Sequence, residues 1–217
     1  MSRFVFPGVY APQEDTALLA EALSDETLGP GTRVLDVGTG SGELALTAAR
    51  RGARVTAVDV SRRAVWTTRL NARLNRLPVR AHRGNLFGPV RGRSFGLVLA
   101  NPPYVPAPPA RHAPRGRSRA WDGGHDGRLV LDRICRDGPA LLRPAGVLLL
   151  VHSALSDPDR TLDLLRAGGC KAAVVRRRWI GFGPVLRMRR EWLRASGLLD
   201  AAEEQEELVV IRAERPL

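Results

Sequence analysis

Asn101-Pro102-Pro103-Tyr104 combines residue types that can hold a planar nitrogen group. Pro102 has no N–H and biases Asn101 away from helical backbone; Pro103 does the same to Pro102, so the peptide is stiff and its carbonyls are free to accept. The Asn101 side-chain oxygen beside the Pro102 carbonyl makes two acceptors for the two hydrogens of one NH2 group. Tyr104 adds a ring able to stack on the flat group that carries the nitrogen, with Pro103 in the same substrate-facing stretch. Taken alone, the tetrapeptide also reads as a proline-rich turn closing a strand. Its setting favours chemistry. The apolar run Gly96-Leu97-Val98-Leu99-Ala100 before it reads as a buried strand, and open α/β sheets bind ligands at the carboxyl ends of their strands.

A second constellation lies upstream. A strand over Arg33–Val37 leads into Gly38-Thr39-Gly40-Ser41-Gly42, a helix from about Glu43 to Arg51 ended by Gly52, and a strand over Arg54–Val58 that ends on Asp59. Asp59 stands 21 positions beyond Gly38, the separation at which a carboxylate meets ribose hydroxyls. The spacing Gly38-x-Gly40-x-Gly42 differs from the G-x-G-x-x-G of dinucleotide sites. Asp36, just before the turn, is poor company for a pyrophosphate. It suits a ligand with cationic groups, such as the ammonium and sulfonium of S-adenosylmethionine. Thr39 and Val60 join this candidate cofactor set. Gly84-Asn85-Leu86-Phe87 follows a short strand, Pro78–Ala81, at the edge where an adenine ring would lie. Asn85 offers it a donor and an acceptor and Leu86 an apolar face, although spacing alone equally allows Asn85 to be a turn residue.

The elements that must position these groups alternate between strand and helix. A short helix within Val9–Leu23 has Asp15 or Thr16 as its N-cap and Leu18, Leu19 and Leu23 as its apolar stripe. Ser61 caps a helix to about Asn75, with Ala64, Val65, Thr68 and Leu74 facing the sheet. Helix Leu129–Leu142, strand Gly146–Val151, helix Asp157–Ala167 and strand Lys171–Trp179 follow, and Leu208–Ala213 reads as a final strand able to pair antiparallel with the last of these. The expected fold is α/β, a doubly wound, mostly parallel sheet with helices on both faces. Residues 105–119, rich in proline and arginine, read as a mobile surface loop. The segment from Ile180 to Glu207, with Arg187-Met188-Arg189-Arg190 and the acidic run Glu203–Glu207, reads as a helix or partner contact or, more commonly for such charge runs, as a solvated face.

Composition narrows the classes. The net charge of +12 invites a polyanionic partner, but Lys171 is the only lysine among 34 basic residues, a skew closer to coding bias than to a lattice of phosphate contacts. Cys135 and Cys170 have no metal-like spacing and read as reduced thiols of a cytoplasmic protein. His82, His112, His125 and His152 show no metal-ligand pattern, so no metal is expected. The first residues are no signal peptide, and no apolar run approaches the roughly 20 residues a membrane span needs.

Together, Asp36-x-Gly38-Thr39-Gly40-Ser41-Gly42, Asp59 and Asn101-Pro102-Pro103-Tyr104 resemble a class I S-adenosylmethionine-dependent methyltransferase. With Ala120-Trp121-Asp122-Gly123-Gly124-His125-Asp126-Gly127 and Val9-Tyr10-x-Pro12-x-Glu14-Asp15-Thr16, the chain resembles more narrowly the short branch of the HemK/PrmC family, which lacks an N-terminal helical domain. The resemblance implies a seven-stranded sheet in one methyltransferase domain over residues 1–217, with 1–30 as a cover and 180–207 inserted before the last strand. It implies methylation of a glutamine side-chain amide in a protein such as a release factor. Asn101, Pro102 and Tyr104 would be catalytic and Trp121 would help bind substrate. Thr16, Asp36, Gly38, Gly40, Gly42, Asp59, Val60, Asn85 and Leu86, with Asn101, would line the cofactor. Asn85 stands where the family usually has an acidic residue. Related short enzymes act on protein lysine, and some need a small zinc-binding activator subunit. The same acceptor pair suits an exocyclic amine of DNA or RNA. A small-molecule methyltransferase and a non-catalytic cofactor-binding subunit complete the alternatives.

Overall fold

A computed structural model describes residues 4–109 and 116–217. Residues 110–115, much of the expected proline- and arginine-rich loop and including His112, lie outside the described residues.

Seven strands form one sheet: β1 (Arg33–Val37), β2 (Arg54–Asp59), β3 (Val79–Arg83), β4 (Phe95–Ala100), β5 (Leu142–Ser153), β6 (Lys171–Gly181) and β7 (Gln205–Glu214). Their order is β3-β2-β1-β4-β5-β7-β6, parallel from β3 to β5, with β7 antiparallel to both β5 and β6. The order reverses between β1 and β4, which brings the carboxyl end of β1 beside that of β4 and opens a crevice there.

Period-two alternation divides the core. Val34, Leu97, Leu99 and Leu149 pack with α1 (Glu14–Ser24), α2 (Glu43–Arg50) and Val65 of α3 (Arg62–Leu74). Leu35, Val37, Val98 and Leu148 face the other way, onto α4 (Leu131–Asp137) and α5 (Pro158–Ala167). Both cysteines are buried and unpaired. No helix among the described residues is long and apolar enough to cross a membrane.

Several expectations change. Asp15 and Thr16 are not caps: Gln13 holds that position without a side-chain bond, and both residues are buried inside the first turn of α1. Leu74 is 53% exposed, because the last turn of α3 runs beyond the sheet. The helix expected over Leu129–Leu142 is shorter, passing at Gly138 into a 3-10 turn over Pro139–Leu141.

The largest change concerns residues 180–207. They form the end of β6, helix α6 (Pro184–Ala195) and the start of β7, around a small core of Phe182, Leu186, Leu193 and Leu199. Part of their charge is solvated, at Arg187, Glu191 and Glu204, and part is not. Arg189 is largely buried and donates to the carbonyls of Val105 and Pro106 and to Asp122. Glu206 is 6% exposed, since alternation along β7 turns it inward. The arginines of β6 are tied as well: Arg176 to Asp25, Arg178 to Glu21 and Glu14 of α1, and Arg177 to Glu207.

Candidate active site at the carboxyl ends of β1, β2 and β4

The turn after β1 holds three glycines at positive φ: Gly38 at 73°, Gly40 at 54° and Gly42 at 88°. Gly42 shows why the last must be glycine. A Cβ there would lie 2.9 Å from Thr68 Cγ2 on α3, in a backbone conformation that side chains rarely adopt. Thr68 also donates to the Gly40 carbonyl at 3.2 Å, so α3 buttresses the turn from behind.

Asp36 differs from its expected place. It is 1% exposed and lies under the turn, where its Oδ2 accepts from Thr39 Oγ1 at 2.6 Å and from the Ala45 N–H at 3.2 Å. It braces the turn from within. Burial pushes its carboxyl up to about 7, against the lowering effect of these two bonds. The folded-state value therefore exceeds the unfolded one. The ionised form is destabilised in the fold, fully above about pH 7 and not at all below about pH 4, on the order of a few kcal/mol. Because one oxygen takes both bonds, an asparagine Oδ1 can replace it. Asp36→Asn is expected to shift the melting temperature upward relative to wild type as pH rises from about 5 to about 8. A difference that stays constant across that range in thermal melts would contradict this account.

Asp59, at the end of β2, is held at both oxygens: Oδ2 accepts from the Gly40 N–H at 3.0 Å and Oδ1 from the Ser61 N–H at 2.7 Å. Burial raises its carboxyl from the usual range, partly offset by these bonds. Beside it Val60 is 45% exposed, an apolar side chain left open at the crevice edge. Leu86 is half-buried at φ 48°, and Asn85 is exposed. A strap formed by the residues before α1 crosses this region. Asn71 bonds both backbone groups of Phe4 and the Ser41 carbonyl, and the Tyr10 carbonyl lies 3.6 Å from where a Gly40 Cβ would be.

After β4, Asn101 Nδ2 donates to Thr16 Oγ1 at 3.2 Å, which fixes the amide and turns Oδ1 to the opposite side. The Asn101 carbonyl lies 3.8 Å from a Cβ placed on Gly38, so this stretch and the glycine turn share one crevice. Pro102 is buried and Pro103 half-buried. Tyr104 is 8% exposed, deeper than an open stacking platform requires. Its hydroxyl donates to Asp15 Oδ2 at 3.2 Å, and Tyr10 donates to the same oxygen at 2.7 Å. Burial and the Asp15 charge raise both phenols, keeping them neutral donors. The Trp121 segment packs on the chain leaving Tyr104. Val105 N–H donates to the Trp121 carbonyl, Ala107 N–H to the Gly124 carbonyl, and Ser156 Oγ to the Tyr104 carbonyl. Gly127 must be glycine, since a Cβ would lie 2.3 Å from that same carbonyl. Trp121 itself is half-buried.

Asp15, Tyr10, Ser156, Arg189 and Glu206 support the site without having been singled out for it. The first two lie inside a motif already quoted. The others carry no local signal.

A model described as "Methyltransferase small domain" matches residues 5–112. The release factor glutamine methyltransferase of Gloeobacter violaceus is 35% identical over 207 residues, covering 88% of this chain and 70% of its own. The chain belongs to the HemK/PrmC family of methyltransferases. Mouse methyltransferase HEMK2 is 35% identical over 177 residues, covering 78% of this chain and 83% of its own. Among solved structures, Mtq2 of E. cuniculi superposes with a TM-score of 0.68 at 25% identity, over 96% of this chain and 99% of that one. It was solved in complex with Trm112, an assembly responsible for methylating the termination factor eRF1. Membership of the HemK/PrmC family makes this protein an enzyme that transfers methyl groups, on the mostly parallel seven-stranded sheet described above.

Proposed function

We propose that this protein methylates the side-chain amide nitrogen of a glutamine in a protein of the release-factor kind, using S-adenosylmethionine. The observation that carries the reading is the placement of Asn101: its amide is oriented by Thr16 while its carbonyl adjoins the glycine turn.

The crevice fits the cofactor. Gly38 leaves open the space a side chain would fill beside Asn101. Each Asp59 oxygen accepts one backbone bond and keeps a lone pair for a ribose hydroxyl. Val60 and Leu86 offer apolar surface to a base, and Asn85 a donor and an acceptor. Thr16, Thr39, Gly40 and Gly42 complete the wall, with Asp36 acting through the turn. Bound there, S-adenosylmethionine supplies a methyl group on a positively charged sulfur.

An amide nitrogen is a poor nucleophile because its lone pair is delocalised. Asn101 Oδ1 and the Pro102 carbonyl accept its two N–H bonds and turn the lone pair toward the glycine side of the crevice. As the nitrogen gains positive character, these acceptors bind it more tightly than in the ground state. Asp15 locks Tyr104 through its hydroxyl, so the ring forms a fixed wall for the planar group. Orientation of this kind is worth up to roughly 7–11 kcal/mol in favourable cases.

The likeness to Mtq2, solved with Trm112, supports a small partner subunit here too. A translation-factor substrate implies a cytoplasmic setting, and residues 1–217 act as one methyltransferase unit. Arginines 176, 177, 178, 189, 190, 194 and 212 are engaged with carboxylates, which leaves them less free to meet a nucleic-acid acceptor. The test offers labelled cofactor to the protein, with and without a small partner subunit, alongside a purified release factor and an oligonucleotide pool. Label on one glutamine, lost when that glutamine is replaced, is the expected result. Label in the oligonucleotides alone would overturn it.

A further inference from the structure

Against Tyr104 lies a hollow of about 360 Å³, bounded by Tyr10, Gln13, Asp15, Tyr104, Ile180 and Glu206. Glu206 is 6% exposed, and its Oε2 is fully buried with no hydrogen-bond partner. The Ser153 hydroxyl interacts with the carboxylate. A buried carboxylate oxygen without a partner is costly and rare, and calls for an explanation.

Apart from the tyrosines, the side-chain donor on the wall of the hollow is the neutral amide of Gln13, which is exposed at the rim. Both tyrosine hydroxyls are committed to Asp15, which also accepts from Thr16. The remaining ionisable group on the wall, Glu14, is another acid. Arg178 of β6 is spent on Glu21 and Glu14. The walls are therefore anionic at one end and apolar at Ile180 and the tyrosine rings. That is the profile of a receptacle for an aliphatic stem ending in positive charge.

We propose that this hollow is a substrate subsite in which Glu206 pairs with a cationic side chain of the protein whose amide is methylated. The inference rests on the reading of a protein substrate above. Tyr104 is the shared wall: the acceptor amide lies on its Asn101 side and the cation on its Glu206 side, so the cationic residue is a near neighbour of the methylated one. Burial and the Asp15 charge raise the empty-site Glu206 carboxyl to about 7, and an entering guanidinium or ammonium restores its ionised form.

The test compares binding of N-acetyl-arginine amide with that of its neutral isostere, N-acetyl-citrulline amide, by titration of the wild-type protein and of Glu206→Gln. The expected result is a preference of at least about tenfold for the arginine probe in wild type, reduced to near parity in the variant. Equal binding of both probes, binding of neither, or a preference that survives Glu206→Gln overturns the subsite. Should the variant fail to fold, the wild-type comparison decides alone. A parallel turnover assay with glutamine peptides that carry a neighbouring arginine separates the two readings. If those peptides stay unmethylated while the arginine preference holds, the amide acceptor fails and the hollow is a cation site without that role.

Discussion

Replacing Asn101 with alanine lowers methyl transfer by about 10²–10³-fold, the scale set by loss of one preorganised hydrogen-bonding group at a transition state. The effect falls on the chemical step. Asn101 Oδ1 is aimed by the Nδ2 bond to Thr16, and its acceptor strength matters most when the nitrogen carries developing charge. Cofactor affinity changes only a few-fold, because the Asn101 backbone, which adjoins Gly38, is retained in the variant. Single-turnover kinetics with saturating cofactor, paired with a cofactor titration, separate the two quantities. Turnover within a few-fold of wild type would remove Asn101 from the chemistry.

Asp59→Asn acts the other way round, on binding. Each carboxylate oxygen of Asp59 accepts a backbone N–H, one from Gly40 in the turn and one from Ser61 at the start of α3. An asparagine must point its NH2 at one of those donors, so one bond becomes a donor-to-donor contact and the turn shifts. The amide also presents fewer lone pairs to ribose hydroxyls. Loss of one bond to a charged group costs about 1.5–3 kcal/mol, which corresponds to a cofactor dissociation constant raised about 10–100-fold. The rate at saturating cofactor is largely retained. A dissociation constant within twofold of wild type would show that Asp59 does not hold the cofactor.

Patterns confined to a few neighbouring residues were legible. The glycine turn, β1, β2 and the Ser61 cap depend on local periodicity, positive-φ glycines and a capping hydroxyl, and all stand where the sequence puts them. Contacts across the chain were not. Asp15 has the composition of a helix cap, but its partner Tyr104 lies 89 positions away, and no spacing rule reaches that far. Glu206 sits in an acidic run that reads as solvated until the strand is known to begin at Gln205, which alone decides which glutamates turn inward. Arg189 is similar. Helical charge patterning says nothing of a carbonyl at Pro106 waiting for it.

The placement of β7 between β5 and β6 bears on the order of assembly. On the ribosome β6 emerges before the neighbour that will join it to the sheet, and it has no place until β7 slides in between. Glu206 arrives with that strand, so the far wall of the hollow is completed only after β7 has been made. The glycine crevice, drawn from β1, β2 and β4, has all its parts much earlier. A nascent chain can thus bring the crevice of β1, β2 and β4 together before the hollow beside Glu206 exists.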